Sequence, residues 1–146
     1  MANDSNRDRL IGTWRLIAVE TEDLTTGVRS QAWGPDPLGF INYAPDRGMM
    51  VMNLRSDRHK PAGAVATPTE AADLFKSMLA YAGIYTIDGN EVTLRIEISW
   101  NEAWSGTHQV RVARFEDNRV HLSTKPTPDL ANGRMSVRTM TWEKLG

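Results

Sequence analysis

The densest group of side chains with useful chemistry lies in residues 100–111, which read Trp-Asn-Glu-Ala-Trp-Ser-Gly-Thr-His-Gln-Val-Arg. Trp100 and Trp104 each offer a large apolar face with one hydrogen-bond donor, and loops commonly carry ligand contacts. A neutral imidazole accepts or gives a proton near physiological pH, so His108 is a candidate acid or base. This pattern predicts a site where a small organic molecule stacks on the indoles and contacts Arg111. In the alternative interpretation, His108 bonds its sequence neighbour or the backbone and has no chemical role.

Glu97 is a second candidate for acid-base chemistry. Apolar and polar side chains alternate along residues 91–100, and Arg95 and Glu97 fall in the polar row. Because successive side chains of a strand point to opposite faces, the two rows lie on opposite sides of a sheet. One interpretation leaves Arg95 and Glu97 as a solvated charge pair of little energetic value. The other places Glu97 in the interior, where a buried carboxylate with a shifted pKa could serve as acid or base.

A group of methionines and tyrosines is suited to lining an adaptable apolar cavity, because Met fills irregular space and Tyr offers a hydroxyl. Tyr43, Met50, Met52 and Tyr81 are the candidate ligand contacts of this group, and Tyr85 is a further candidate catalytic residue. The same residue types are equally typical of an ordinary core.

No motif points to a metal, a nucleotide or a covalent intermediate. His59, His108 and His121 lie in unrelated sequence settings, and the chain has no cysteine. Neither a nucleophile motif nor a Gly-rich phosphate loop is present. We therefore expect no metal site and no cofactor.

The 146 residues, with a formal net charge of -1, fit a single domain in which residues 1–9 are expected to be a flexible N-terminus. Without a basic field there is no reason to expect nucleic acid as a partner. No apolar run reaches the roughly 20 residues of a spanning helix, and no signal-sequence core follows the polar start. We expect a cytoplasmic protein with no membrane partner.

The elements that must position the candidate residues are mainly β-strands. Alternating apolar runs separated by turn residues predict eight or nine antiparallel strands in chain order. The runs cover residues 10–20, a region from 28, then 40–43, 49–54, 84–87, 91–100, 107–115, 120–124 and 135–143.

Residues on the first and last predicted strands indicate that these two strands pair with each other. Gly12-Thr13-Trp14 opens the first strand, and Arg138 and Trp142 lie on the last. This arrangement indicates a sheet that closes on itself, which removes unpaired edges and leaves room for side chains or one small ligand. The sequence therefore predicts a small closed antiparallel up-and-down β-barrel.

One amphipathic helix is predicted among the strands. Thr67 and Glu70 form a capping-box pattern, Pro68 takes the first helical position, and apolar residues repeat at helical spacing as far as Leu79. Its apolar face is expected to be buried, either in a barrel mouth or against the barrel wall.

Four segments resemble the bacterial and fungal lipocalin-like domain proteins. They are residues 10–16 (Leu-Ile-Gly-Thr-Trp-Arg-Leu), 33–46 (Trp-Gly-Pro-Asp-Pro-Leu-Gly-Phe-Ile-Asn-Tyr-Ala-Pro-Asp), 79–85 (Leu-Ala-Tyr-Ala-Gly-Ile-Tyr) and 101–109 (Asn-Glu-Ala-Trp-Ser-Gly-Thr-His-Gln). The resemblance extends over nearly the whole chain and implies a calycin-type β-barrel with an internal cavity. The resemblance identifies no catalytic residue in this sequence. Because many relatives are linked to secondary metabolism, it implies a hydrophobic ligand. The long loops and disulfides of secreted lipocalins are absent, which favours an intracellular pocket.

Three hypotheses for function follow. The first is a barrel that binds a small hydrophobic molecule, aromatic or polyketide-like, with or without catalysis. As an enzyme it would be a cofactor-independent isomerase, cyclase or lyase that uses His108, Glu97 and Tyr85 for proton transfer. The second is a passive carrier, in which tryptophans and methionines hold the ligand without chemistry. The third is a barrel filled by its own side chains that acts through its surface, for example as a homodimer.

Overall fold

The computed structural model describes residues 2–129 and 132–146. In this part of the chain, ten strands form one sheet, accompanied by two α-helices and a 3-10 turn. The strands are β1 (Gly12–Asp23), β2 (Arg29–Ser30), β3 (Leu38–Tyr43), β4 (Gly48–Leu54), β5 (Met78–Asp88), β6 (Glu91–Ser99), β7 (His108–Glu116), β8 (Arg119–Thr124), β9 (Thr127–Pro128) and β10 (Met135–Lys144). The helices are α1 (Ala2–Leu10) and α2 (Pro68–Lys76), and the 3-10 turn covers Glu102–Trp104.

Eight of the strands close into a barrel, because β1 pairs with β3 on one side and with β10 on the other. The pairings are antiparallel, and the two short strands β2 and β9 extend β1 and β10 at one end. The predicted closed antiparallel barrel is therefore confirmed. We name the end that holds α1 the lower end and the end beside β2, β9 and α2 the upper mouth.

The lower end of the barrel is closed by two indoles and α1. Trp14 and Trp142 are 2% and 1% exposed. The Nε1 of Trp14 donates a hydrogen bond of 2.9 Å to the backbone oxygen of Leu10, the last residue of α1. Arg9 lies over the ring of Phe115, with its Cζ atom 4.4 Å from the ring centroid. Residues 1–9 are predicted from their polar composition to be a flexible N-terminus, whereas in the structure Ala2–Leu10 form α1, which contacts Phe115 and Lys144 on distant strands.

The helix α2 departs from its prediction in length and burial. Its capping box is present, with the Oγ1 of Thr67 accepting from the backbone N–H of Glu70 and the Glu70 carboxylate accepting from that of Thr67. The helix ends at Lys76, and Met78 and Leu79, predicted to continue it, begin β5 instead. The reason is that β5 pairs with β4 from its first residue, so sheet hydrogen bonds replace helical ones. No residue of α2 is buried, and the helix lies on the rim of the upper mouth.

Candidate ligand-binding site at the upper mouth

The lower part of the barrel interior is filled by side chains. The space left among them measures about 20 Å³, which is enough for about one water molecule. It is lined by Ile41, Tyr43, Met49, Val51, Asn53, Tyr81, Val92, Leu94, Gln109, Arg111, Leu122, Met140 and Trp142. A ligand of drug size therefore has no room there in this conformation.

The upper mouth contains a larger cavity of about 500 Å³. Its walls come from the ends of β1, β8 and β10, from β2 and β9, and from the loop after β2, and most of the lining residues have polar side chains. The lining residues are Thr21, Ser30, Ala32, Thr124, Thr127, Pro128, Asp129, Ser136 and Arg138. This volume lies within the range of about 300–1,000 Å³ that is common for small-molecule sites.

A layer of polar side chains separates the mouth cavity from the filled interior. Thr21 lies opposite Arg138 across β1 and β10, and Arg111 lies opposite Thr124 across β7 and β8. The backbone N–H of Arg138 donates to Thr124 Oγ1 at 3.0 Å, which joins the two pairs. Directly opposed residues share a face of the sheet, and all four residues line either the mouth cavity or the space below it, so their side chains point inward. We call Thr21, Arg111, Thr124 and Arg138 the polar layer.

Arg111 forms the inner side of this layer with neutral partners. Its Nη2 donates to Gln109 Oε1 at 2.7 Å, and its Nη1 donates to the backbone oxygen of Val110 at 2.9 Å. The hydroxyl of Tyr81 donates to the same Gln109 oxygen at 3.4 Å. Burial raises the pKa of Tyr81, with the charge of Arg111 acting in the opposite direction, and burial also raises that of Tyr43. Both phenols therefore stay protonated at neutral pH.

The outer side of the layer holds Arg138 and an unpaired hydroxyl. Arg138 is an exposed residue at the cavity wall, where partial desolvation lowers its pKa, the nearby Asp129 carboxylate opposes this effect, and the charge of Arg111 adds to it. Thr21 is 7% exposed, and its Oγ1 has no hydrogen-bond partner among the described residues. A buried polar atom without a partner costs free energy, so a hydrogen bond from a bound molecule that reached this hydroxyl would remove that cost.

An aromatic column stands on the opposite side of the mouth. Trp104 packs on Tyr81 with ring centroids 5.8 Å apart, and Trp100 meets Trp104 edge to face at 5.0 Å. Phe75 of α2 extends the column, 5.8 Å from Trp100, whose Nε1 donates to the Phe75 backbone oxygen at 3.2 Å. The two tryptophans predicted to contact ligand thus pack against each other and the rim helix, and neither is among the residues that line the mouth cavity.

Met50 and Met52, predicted to line the cavity, lie on the outside of the barrel. The alternation of β4 buries Met49, Val51 and Asn53 and leaves Met50 and Met52 64% and 52% exposed. They help to line an apolar groove of about 500 Å³ on the outer wall. This outer groove is bounded by Phe40, Asn42, Met50, Val51, Met52, Ala80, Tyr81, Ala82, Ile98, Ser99 and Trp100. Both faces of β4 are apolar, so composition did not show which face is inside.

Glu97 also lies on the outer wall, where it forms an ion pair with Arg95 at 2.9 Å. The apolar row of β6 is buried as far as Ile96, as the first interpretation expected. Beyond that point the prediction is wrong, because Ile98 is 68% exposed. The pairing with β5 shifts register between Ala82 and Gly83, so β6 has one extra residue there and the alternation reverses.

The three candidate catalytic residues are not brought together. His108 is exposed and pairs across the strands with Arg95, which places it on the outer face. Tyr85 is buried, and its hydroxyl donates to the backbone oxygen of Ala44 at 2.7 Å near the lower end. Of the predicted site residues, Tyr43, Tyr81 and Arg111 line the barrel interior.

Sequence reasoning missed Thr21, Thr124 and Ser136 as site residues and noted Arg138 only as a charge near the last indole. The sequence of β10 could have identified Arg138. Alternate residues of a strand point to the same face, so Arg138 lies on the same face as the inward-pointing Trp142. The three hydroxyl residues gave no such signal, since Ser and Thr occur on either face of a strand.

Residues 2–129 and 132–146 contain no group of three or more His, Asp or Glu side chains placed to hold a metal ion. Among the helices of those residues, none has the length and apolar character that crossing a bilayer requires.

Comparison with known proteins gives the family. One solved structure that resembles the chain is a lipocalin-like protein from Bacteroides uniformis, with a TM-score of 0.50 and 13% sequence identity, covering 94% of this chain and 99% of that chain. At this identity the likeness concerns the fold alone. No curated protein matches the sequence. The family model for the lipocalin-like domain matches residues 11–145, and the chain therefore belongs to the lipocalin-like domain family.

Proposed function

We propose that this protein binds a small organic molecule in the cavity of its upper mouth. The observation that carries the proposal is the cavity of about 500 Å³ above the polar layer. Below that layer the barrel is filled, so the ligand rests on the polar layer instead of entering the lower barrel. The unpaired Oγ1 of Thr21, buried at the edge of the cavity, supports this position.

Binding without turnover fits the positions of the candidate catalytic groups better than an isomerase, cyclase or lyase does. A general acid or base must reach the proton that it transfers, directly or through one water. Glu97 and His108 are on the outer face, and the Tyr85 hydroxyl is engaged by Ala44. We therefore favour the carrier hypothesis over the enzyme hypothesis.

A second candidate function is binding of an apolar molecule in the outer groove. It is favoured by the clustering of Phe40, Met50, Met52 and Ile98, which are all 47% or more exposed. Such a contiguous apolar patch is uncommon on a surface without a binding role. This site would accept the hydrophobic ligand that the resemblance implied, but on the wall of the barrel.

A pair of variants separates the two sites. Ala32→Trp places a large side chain in the mouth from an exposed loop position, and Ile98→Glu places a charge in the outer groove. A panel of small organic acids, esters and alcohols is screened by amide chemical-shift changes in ¹⁵N-labelled protein. We expect shifts at Thr21, Thr124 and Ser136 that Ala32→Trp abolishes and Ile98→Glu leaves intact.

The opposite pattern, with shifts at Met50 and Met52 that only Ile98→Glu removes, would assign function to the outer groove. A panel without any saturable shift at either site would contradict both candidate functions. Mass spectrometry of each binding mixture tests turnover, because an unchanged ligand supports a carrier and a new product supports an enzyme.

A further inference from the structure

We infer that the molecule bound in the mouth is an organic acid whose carboxylate is held by Arg138 and Arg111. This inference rests on the proposed function and adds the chemical class of the ligand. The guanidinium group offers several N–H donors in a planar fork that matches a carboxylate, so two arginines on one inner layer form a receptor for such a group.

The first argument is charge. Arg111 and Arg138 lie on the same inward layer, two strands apart, since β8 alone separates β7 from β10. Among the described residues that line the mouth cavity and the space below it, Asp129 carries the one carboxylate. Asp23, the next acid along the inward row of β1, is engaged by Arg134 at 2.7 Å. The layer thus has two positive charges for one negative charge, and a second carboxylate would balance it.

The second argument is the supply of hydrogen-bond donors. The acceptors described for the Arg111 guanidinium are the neutral oxygens of Gln109 and Val110, and charge-assisted bonds to a carboxylate would be stronger. Thr21, in the same layer, is 7% exposed, and its Oγ1 has no partner among the described residues. A ligand rich in acceptors meets this surplus.

Another unpaired buried side-chain atom of the described residues, Asn53 Oδ1, does not change this balance. It lies against Gly39 so closely that a Cβ at that position would overlap it. This oxygen therefore packs on the barrel wall, on β4 and across the interior from the two arginines.

The test compares acids with their uncharged methyl esters. The probes are 2-naphthoate and decanoate, each beside its methyl ester, titrated by calorimetry and by amide chemical shifts. We expect each acid to bind the mouth at least tenfold more tightly than its ester. Arg138→Gln should weaken acid binding by about tenfold to hundredfold, because a hydrogen bond to a charged group usually contributes that much to affinity. Binding of the ester should stay nearly unchanged.

The matched control is Arg114→Gln. Arg114 lies on β7, pairs with Glu116 on the outer face, and gives the same change in net charge. It should not alter acid binding, and Arg138→Lys, which keeps the charge, should retain part of it. Arg111→Gln should act in the same direction as Arg138→Gln, with unchanged thermal denaturation showing that each variant is folded.

Three results would overturn the inference. Equal binding of acids and esters in the mouth, unaffected by Arg138→Gln, would refute the carboxylate site while leaving the proposed function in place. An equal loss in Arg114→Gln would show a general effect of net charge. A third result would refute both the proposed function and the inference. In that result, neither acids nor esters change the amide chemical shifts of residues that line the mouth cavity, and Ala32→Trp has no effect on any titration.

Discussion

Replacing Trp14 with phenylalanine should lower the free energy of unfolding by about 3 kcal/mol. The change removes the donor to the Leu10 backbone oxygen, which is the last carbonyl of α1 and has no helical partner. Leu10 is fully buried, so its oxygen cannot turn to water, and an unsatisfied buried acceptor costs about 1–3 kcal/mol. The smaller ring also leaves unfilled space in the core, which adds about 1–2 kcal/mol.

The assay is urea unfolding followed by far-ultraviolet circular dichroism, with hydrogen exchange of α1 amides as a local readout. We expect a lower midpoint with an unchanged slope and faster exchange throughout residues 5–10. Faster exchange there would link the loss of stability to the contact between α1 and the barrel.

Trp100→Phe is the matched control. Its Nε1 also donates to a backbone oxygen, that of Phe75 at 3.2 Å, but this hydrogen bond is exposed. Water can replace the lost donor, so the cost should stay below about 1 kcal/mol. Equal costs for the two substitutions, or a cost below about 1 kcal/mol for Trp14→Phe, would refute the claim that burial of the Leu10 carbonyl fixes α1 to the barrel.

Four further outcomes are expected. Gly83→Ala should strongly lower the thermal denaturation temperature, because a Cβ there would overlap the backbone oxygen of Arg95, whereas Gly63→Ala has open space around it and should change little. Thr67→Ala should cost about 1 kcal/mol in urea unfolding through loss of the helix cap. In a carbon-13 titration, Glu70 should ionise below its usual pKa, because its carboxylate accepts hydrogen bonds from the backbone N–H groups of Thr67 and residue 62. The contribution of Glu70 to folding stability is therefore present above the pKa of the unfolded chain and is lost as the pH falls through the folded pKa. An ordinary pKa for Glu70 would contradict this prediction. Because burial raises the pKa of all three tyrosines, absorbance at 295 nm should show no tyrosinate near pH 10 while the protein stays folded. The contribution of the tyrosines to folding stability is present below the pKa of the unfolded chain and is lost as the pH rises through the folded pKa. A rise in absorbance of the folded protein near pH 10 would contradict this prediction.

The order and closure of the strands could be predicted from local patterns in the chain. Turn residues separated the apolar runs, period-two alternation identified the buried row of β6 as far as Ile96, and Trp14 and Trp142 indicated that the first and last strands meet. The capping box of Thr67 and Glu70 placed the start of α2 correctly. Each of these signals depends on residues close together in sequence or on a repeating pattern, which is why the sequence carried them.

The inward face of each strand and the form of the cavity were decided by tertiary structure. One extra residue in β6 reverses its alternation and exposes Ile98, and no local pattern marks where such a bulge occurs. The amount of free space inside a barrel depends on how all the inward side chains pack, so neither the filled interior nor the open mouth was visible in the composition.

The polar layer shows most clearly what local sequence patterns cannot predict. Thr21 comes beside Arg138 only because β1 pairs with β10, which lies at the other end of the chain, and the register of that pairing is set by closure of the whole barrel. Sequence by itself determined that this chain forms a closed meander of strands with a capped helix. The tertiary structure decided which polar side chains meet at its mouth, because that depends on long-range register and packing that no short segment encodes.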